Sequence, residues 1–159
     1  TRGMNCMDSE QMKTKLKYKL EANVGLSVLN DIQIFTRVLV YHGMNSEERE
    51  VSYMRALYFP EHKTLCIRRI YTAPEHERKG LAKLQLKETL SLLRNQPLKT
   101  IRALRVTRSG LGFFNSLGFK RVSTDCKEPN LETTYEELSH RLGSFNPGFP
   151  YSKKFIGLK

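Results

Sequence analysis

From Lys15 to Val24 the chain alternates without a break. Leu16, Tyr18, Leu20, Ala22 and Val24 fall on one face, and Lys15, Lys17, Lys19, Glu21 and Asn23 on the other. Alternation at period two predicts a half-buried strand. The four-residue spacing of Met12, Leu16 and Leu20 would suit a helix, but alternation accounts for more positions. Ile32 to Tyr41, rich in β-branched residues, predicts a second strand. Glu50 to Phe59 predicts a third and Thr64 to Tyr71 a fourth. The turn segments His42-Gly-Met-Asn-Ser-Glu and Pro60-Glu-His-Lys join them into an antiparallel meander. The polar residues 1–12 read as loose or as a short helix.

The pattern then changes. Ala73-Pro74 ends the fourth strand, because proline removes a ladder donor. Lys79 to Leu93 predicts a helix, with Leu81, Leu84, Leu90 and Leu93 on its apolar side. Asn95-Gln96-Pro97 stops it. Ile101 to Val106 predicts a fifth strand, parallel to the fourth through a right-handed crossover. Ser109 to Ser116 predicts a short helix closed by Leu117-Gly118. Phe119 to Ser123 starts another strand, for which Glu132 to Leu138 is the expected partner. The tail from Gly143 reads as an arm that orders on docking, or as a loop. The expected organisation is one α/β domain over 13–140, between a flexible N-terminus (1–12) and a C-terminal arm (141–159).

Composition narrows the partners. The 159 residues include 27 Lys and Arg against 16 Asp and Glu, a net charge of +11. Such a surface favours anionic partners: nucleic acid, an anionic membrane surface or a polyphosphorylated cofactor. It disfavours a polycationic substrate. The longest apolar run, Ile32 to Tyr41, is too short to span a membrane and contains Arg37. No secretory signal is evident, and Thr1-Arg2-Gly3 reads as a cleavage remnant ahead of a start at Met4. Cys6, Cys66 and Cys126 form no Cys-x-x-Cys pair. His42, His62, His76 and His140 show no His-x-x-x-His spacing. The expectation is a reducing, cytoplasmic compartment and no metal.

The segment Ile70-Tyr-Thr-Ala-Pro-Glu-His-Glu-Arg-Lys-Gly-Leu-Ala-Lys-Leu84 carries the chemistry. It reads as a strand, a basic loop with one glycine, and a helix N-terminus. Such a junction points free N–H groups outward, and the helix dipole adds positive potential. Arg78, Lys79 and Lys83 add full charges, Gly80 admits a close backbone approach, and Ala82 keeps the first turn small. These features predict a diphosphate seat. The Walker spacing and the Gly-x-Gly-x-x-Gly fingerprint are both absent.

This segment resembles motif A of the GCN5-related N-acetyltransferase superfamily, Arg/Gln-x-x-Gly-x-Gly/Ala, here Glu77-Arg78-Lys79-Gly80-Leu81-Ala82. Leu111-Gly-Phe-Phe-Asn-Ser-Leu-Gly-Phe119 is similar to the end of the family's motif B, Phe-Tyr-x-x-x-Gly-Phe. The resemblance spans about residues 32–138. It implies a single-domain acetyltransferase-like fold, a mixed antiparallel and parallel sheet splayed between strands four and five and flanked by helices. It also implies acetyl-CoA or a related acyl-CoA, whose pyrophosphate takes the N–H groups of Lys79, Gly80, Leu81, Ala82 and Lys83, near Arg78. The pantetheine would pair along Ile70, Tyr71 and Thr72, beside Phe114, and an acceptor amine would attack the thioester directly in a ternary complex. The Thr72 amide would polarise the thioester carbonyl.

Four positions depart from the family pattern. Glu77 holds the Arg/Gln position, next to Arg78. Phe114 stands where the family's tyrosine protonates the leaving thiolate, and a phenyl ring has no proton to give. Thr107 replaces the usual asparagine. Only Gly25 to Asp31 is available where relatives insert two acceptor-site helices, so the acceptor side is open and suits a macromolecule. Tyr71, Ser109 or Thr107 could supply a hydroxyl in place of the missing one. Candidate general bases are His42, Glu48 and Glu50, which antiparallel pairing brings near the end of the fourth strand; Glu61 and His62 lie at its far end. His76 is expected in solvent or near phosphate. The acceptor amine stays open. A second reading is a nucleic-acid-binding or nucleic-acid-modifying member without ordinary acetyl transfer. It draws on Phe114, the missing helices and the surplus charge.

Overall fold

The computed structural model describes residues 16–43, 47–122 and 128–158. The expectations for residues 1–12, for Lys15, for Met44 to Ser46 in the first turn segment, for the strand end at Ser123 and for Cys6 and Cys126 lie outside these. The strands are β1 (Lys17–Leu26), β2 (Ile32–Tyr41), β3 (Arg49–Phe59), β4 (Thr64–Thr72), β5 (Thr100–Ala103), β6 (Lys120–Arg121), β7 (Leu131–Thr134) and β8 (Tyr151–Leu158). The helices are α1 (Leu81–Leu92), α2 (Arg108–Ser116) and α3 (Tyr135–Leu142), with a 3-10 turn at Pro74–His76.

All eight strands form one sheet in the order β6-β7-β5-β4-β3-β2-β1-β8. β1 to β4 are the expected meander, and β5 runs parallel to β4. The register sets two faces. Tyr18, Leu20, Ala22, Val38, Val40, Ser52 and Met54 lie on the side covered by α1 and are buried. The other side of β1 to β4 carries Glu21, Phe35, Arg37, Tyr53, Arg55, Arg69 and Tyr71. The main core joins Ile34, Ala56, Tyr58, Ile67 and Ile101 to Leu86 and Leu90 of α1, Phe114 of α2, and Leu138 and Leu142 of α3. Burial of an isoleucine, leucine or phenylalanine among these stabilises by about 1.5–3 kcal/mol each.

Three expectations are corrected. The fifth strand does not run from Ile101 to Val106: β5 ends at Ala103, because Arg105 takes left-handed backbone. Glu132 to Leu138 is not one strand: β7 ends at Thr134, and Tyr135 opens α3. Thr134 caps that helix, its side chain accepting from Glu137 N at 3.1 Å. Glu136 and Glu137 occupy the first turn, and His140 and Arg141 the last, as the helix dipole favours. The tail is not merely a loop either. After residues 143–150 it forms β8, parallel to β1, with Lys153 Nζ 3.0 Å from Glu88 Oε2 on α1.

β1 and β2 are joined by Ser27 to Asp31, without helices. Ser27 N donates to Asp31 O at 2.9 Å, and the Ser27 hydroxyl accepts from Leu29 and Asp31 N–H. The resemblance implies two helices at this place in the family; this chain shows a tight turn, with Val28 100% and Leu29 81% exposed.

Candidate functional site

β4 and β5 pair only from Thr64–Thr100 to Ile67–Ala103. One further bond, Leu104 N to Ile67 O at 3.0 Å, closes the ladder. Two local events then part the strands. A bulge places Arg68 as an extra residue between the Ala56–Ile67 and Arg55–Arg69 pairs. Arg105 takes a left-handed φ of 48° and donates its N–H to Asn130 Oδ1 at 2.9 Å, which turns the chain out of the sheet. The expected splay is therefore present. Its cleft of about 1400 Å3 is lined by Ile67 to Tyr71, Ala103 to Thr107, Gly110 and Phe114, and it continues over Phe35, Tyr53 and Arg55.

The open edge of β4 faces this cleft. Tyr71 opposes Tyr53, Ala73 N donates to Val51 O at 2.7 Å, and the Ser52 hydroxyl donates to Tyr71 O at 2.8 Å. Alternation then turns the backbone groups of Ile70 and Thr72 toward the splay. That edge suits an extended amide-bearing chain such as pantetheine.

The same strand leads into the basic loop. Arg78 and Gly80 both adopt left-handed backbone, at φ 65° and 83°. Gly80 is the N-cap of α1 and makes no side-chain cap. The first helical bond runs from Leu84 N to Gly80 O at 2.9 Å, so the N–H groups from Gly80 to Lys83 have no intrahelical partner. They fit a diphosphate. Leu81 itself is buried under Tyr18, Leu20 and Val38, so only its backbone is available.

A buried polar chain, not foreseen in the sequence, ties this helix start to the strand end. Gln85 Nε2 donates to Ser52 Oγ at 2.6 Å and to Leu81 O at 3.1 Å. Gln85 Oε1 accepts from Thr36 Oγ1 at 3.2 Å, and Ser52 Oγ lies 2.8 Å from Thr72 Oγ1. Gln85, Thr36 and Ser52 are all 0% exposed. The only hint in the sequence is a glutamine one turn after Leu81, amid the apolar positions of α1.

Other groups of the loop are also committed. His76 is 4% exposed, so the expectation of a solvent-facing histidine is corrected. Its Nδ1 lies 3.3 Å from the Tyr18 hydroxyl, to which Lys79 Nζ donates at 3.2 Å. Burial holds the imidazole below its usual value, and the charges of Lys79 and Arg49 add to the effect. Phe149 stacks on Tyr18 at 4.4 Å. Lys83 Nζ lies 5.8 Å from the Phe145 ring centre, and Lys87 Nζ donates to Phe145 O at 2.9 Å. Residues after α3 thus frame the loop. Arg78 is exposed.

The acid–base candidates are dispersed. Tyr71 and Phe114 line the cleft, and Tyr71 is 48% exposed. Phe114 is buried between Phe113 and Phe119, each 5.0 Å away. Ser109 is exposed on the first turn of α2, its Oγ 3.1 Å from Thr107 Oγ1. Glu50 is exposed near Arg37, at 3.9 Å, and Glu48 accepts from Lys19 at 2.6 Å. His42 is exposed just past β2. Among the described residues no group of three His, Cys, Asp or Glu is placed to hold a metal, and no helix is long and apolar enough to cross a membrane.

A family model described as "Acetyltransferase (GNAT) family" matches residues 26–119. No curated protein matches the chain in sequence. Among solved structures, the PaiA N-acetyltransferase of Thermoplasma acidophilum in complex with coenzyme A is 20% identical, with a TM-score of 0.52. The match covers 65% of this chain and 61% of that one, so the chain spans under two thirds of that relative's length. A mutant AtaT toxin, bound to the C-terminus of the antitoxin AtaR and acetyl-CoA, is 11% identical over 70% of this chain and 74% of its own, with a TM-score of 0.50. A KacTA–DNA complex is 9% identical over 71% and 74%, with a TM-score of 0.53. At these identities the structures speak for the fold.

Proposed function

Because the chain belongs to the acetyltransferase (GNAT) family, we propose that it is an acyl-CoA-dependent N-acyltransferase whose acceptor amine is carried by a macromolecule. The observation that carries this reading is the meeting of an unpaired β4 edge with an uncapped, basic helix N-terminus. Acetyl-CoA, when bound, supplies the activated acyl group. The N–H groups of Lys79 to Lys83 hold the pyrophosphate, with Arg78 beside them. Ile70, Tyr71 and Thr72 position the pantetheine arm against the Phe114 wall. Glu50 or His42 takes the proton of the acceptor ammonium, and the Tyr71 or Ser109 hydroxyl stands in for the donor that Phe114 lacks. The turn at Ser27–Asp31 leaves the acceptor side open to a bulky substrate. Coenzyme A in the PaiA structure and acetyl-CoA in the AtaT structure support the choice of cofactor.

One observation favours a second reading, a nucleic-acid-binding or nucleic-acid-modifying member of the fold without ordinary acetyl transfer. The ring at position 114 is buried among carbon and offers no proton.

A thermal-shift titration with acetyl-CoA, CoA and dephospho-CoA tests the cofactor. Saturation at about 100 Kd adds about 2.7 kcal/mol, a rise of about 5–10 °C for a chain of this size. No shift at millimolar cofactor would overturn the transferase reading. A shift without acetyl transfer to any amine offered would favour the second.

A further inference from the structure

On the sheet face away from α1, three aromatic rings stand in a row across neighbouring strands. Phe35 of β2 lies 6.4 Å from Tyr53 of β3, and Tyr53 lies 5.7 Å from Tyr71 of β4, each pair tilted by about 33° or less. The guanidinium of Arg55 sits 5.3 Å from the Phe35 ring centre. Arg55, Arg68, Arg69 and Arg105 line the same cleft and are exposed, and Glu128 is the one acidic residue among its lining. Among the described residues no ion pair engages these four arginines, whereas Arg37 and Arg102 are bound to Glu21 and Glu132.

We propose that this face binds single-stranded nucleic acid, with unpaired bases stacking on Phe35, Tyr53 and Tyr71 and the phosphates held by Arg55, Arg68, Arg69 and Arg105. The charge and the rings together select this occupant. Four unpaired guanidiniums call for a polyanion. A row of rings on neighbouring strands offers stacking surfaces that an unpaired base can meet and a base inside a duplex cannot. An acidic peptide would use the arginines and leave the rings idle. A lipid surface would be met by protruding apolar side chains; these, Leu26, Val28 and Leu29, stand at the β1–β2 turn, whereas Phe35 and Tyr53 of the row are half-buried. The proposal names a partner for the acceptor side of the proposed transferase and shares its cleft. Binding itself requires no acyl donor.

The test is fluorescence anisotropy of the full chain with a labelled oligouridine of about twelve nucleotides, without acetyl-CoA. Micromolar binding is expected at about 100 mM salt, with a log–log salt slope near −3 for four phosphate contacts at about 0.7 each. Tyr71→Ala should weaken binding roughly 5- to 150-fold, and Tyr71→Phe should restore it. Arg68→Ala should weaken binding and reduce the slope by about 0.7. Thermal melts of each variant confirm folding. The proposal is overturned if oligouridine fails to bind at about 100 μM, or if Tyr71→Ala binds as the parent does. It is also overturned if duplex DNA or phosphatidylserine vesicles bind as tightly with the same variant pattern, or if Lys153→Ala with Lys154→Ala weakens binding as much as the cleft arginines do. Oligouridine binding with no cofactor shift would uphold this face and remove the transferase reading; the reverse result would do the opposite.

Discussion

The ring of Phe145 lies against Gly80, so near that a Cβ on residue 80 would stand 2.8 Å from its Cζ and 3.0 Å from its Cε2. Gly80 also has φ 83°, which an L side chain adopts at a cost of about 1–2 kcal/mol. Gly80→Ala therefore carries two penalties, one from the backbone and one from the ring. In urea unfolding it should cost more than about 2 kcal/mol in the parent chain. In a Phe145→Ala background only the backbone penalty should remain, leaving a coupling of at least about 0.5 kcal/mol. Strict additivity would mean that the ring does not press on the loop.

The contact also marks where sequence reading stops. The starts and ends of β2, β3 and α2 fall within a residue or so of the predicted ones, because each is a continuous patterned or β-branched run bounded by turn residues. The junction at residues 70–84 is legible for a local reason: strand, glycine and helix start are consecutive. Three features needed distant residues. His76 reads as a loop histidine until Tyr18, itself packed against Phe149, meets it from β1. β8 shows no burial rhythm, since its side chains from Tyr151 to Ile156 are exposed, and only its pairing with β1 makes it a strand. The α3 start was readable locally, as Thr134-Tyr-Glu-Glu137, but β-branched Thr133 and Thr134 favoured extending the strand.

Gln85 is a buried hub between the sheet and the loop. Gln85→Leu keeps much of its bulk while taking the partner from Thr36 and one from Ser52. A loss of about 1–3 kcal/mol is expected, a fall of about 2–12 °C in melting temperature. The acetyl-CoA shift should shrink as well, since the α1 N-terminus loses its tie to β4. A variant with parental stability would show the network to be dispensable.

His76 gives the stability a slope on the mildly acidic side. Its folded imidazole resists protonation, while the unfolded one titrates near 6.5. The unfolded state then binds the extra proton first, so stability is complete above that value and declines as pH falls through it toward the lower folded value. Glu21 acts further down. Burial alone would raise its carboxyl, but the bonds from Arg37 and Lys19 prevail and hold it below 4.5, so its contribution persists until more acid conditions. Melting temperatures between about pH 5 and 8 should fall with acid in the parent chain. They should stay nearly level in His76→Gln, which is less stable at neutral pH.

Phe114→Tyr places a hydroxyl on the cleft wall beside Gly110 and Val106. Single-turnover acetyl transfer should speed up by about tenfold or more, less than the usual general-acid effect of about 10²–10⁴ because a thiolate leaves readily. The KM for acetyl-CoA should hardly move. A variant with unchanged kcat and lowered stability would show that another group already serves the leaving sulfur.

β8 lies beside β1, pairing Tyr151 with Tyr18 across most of the chain length. During synthesis, β1 can gain β2 on one side at once, but its other edge waits until Tyr151 and the residues after it, more than a hundred positions later, have emerged. Closing so long a loop is slow, and an unmatched strand edge is a template for neighbouring chains. Removal of β8 should therefore matter more to the nascent protein than to the finished sheet. Its clearest mark would be a lower soluble yield and a demand for chaperones during refolding, even under conditions where the mature fold is comfortably stable.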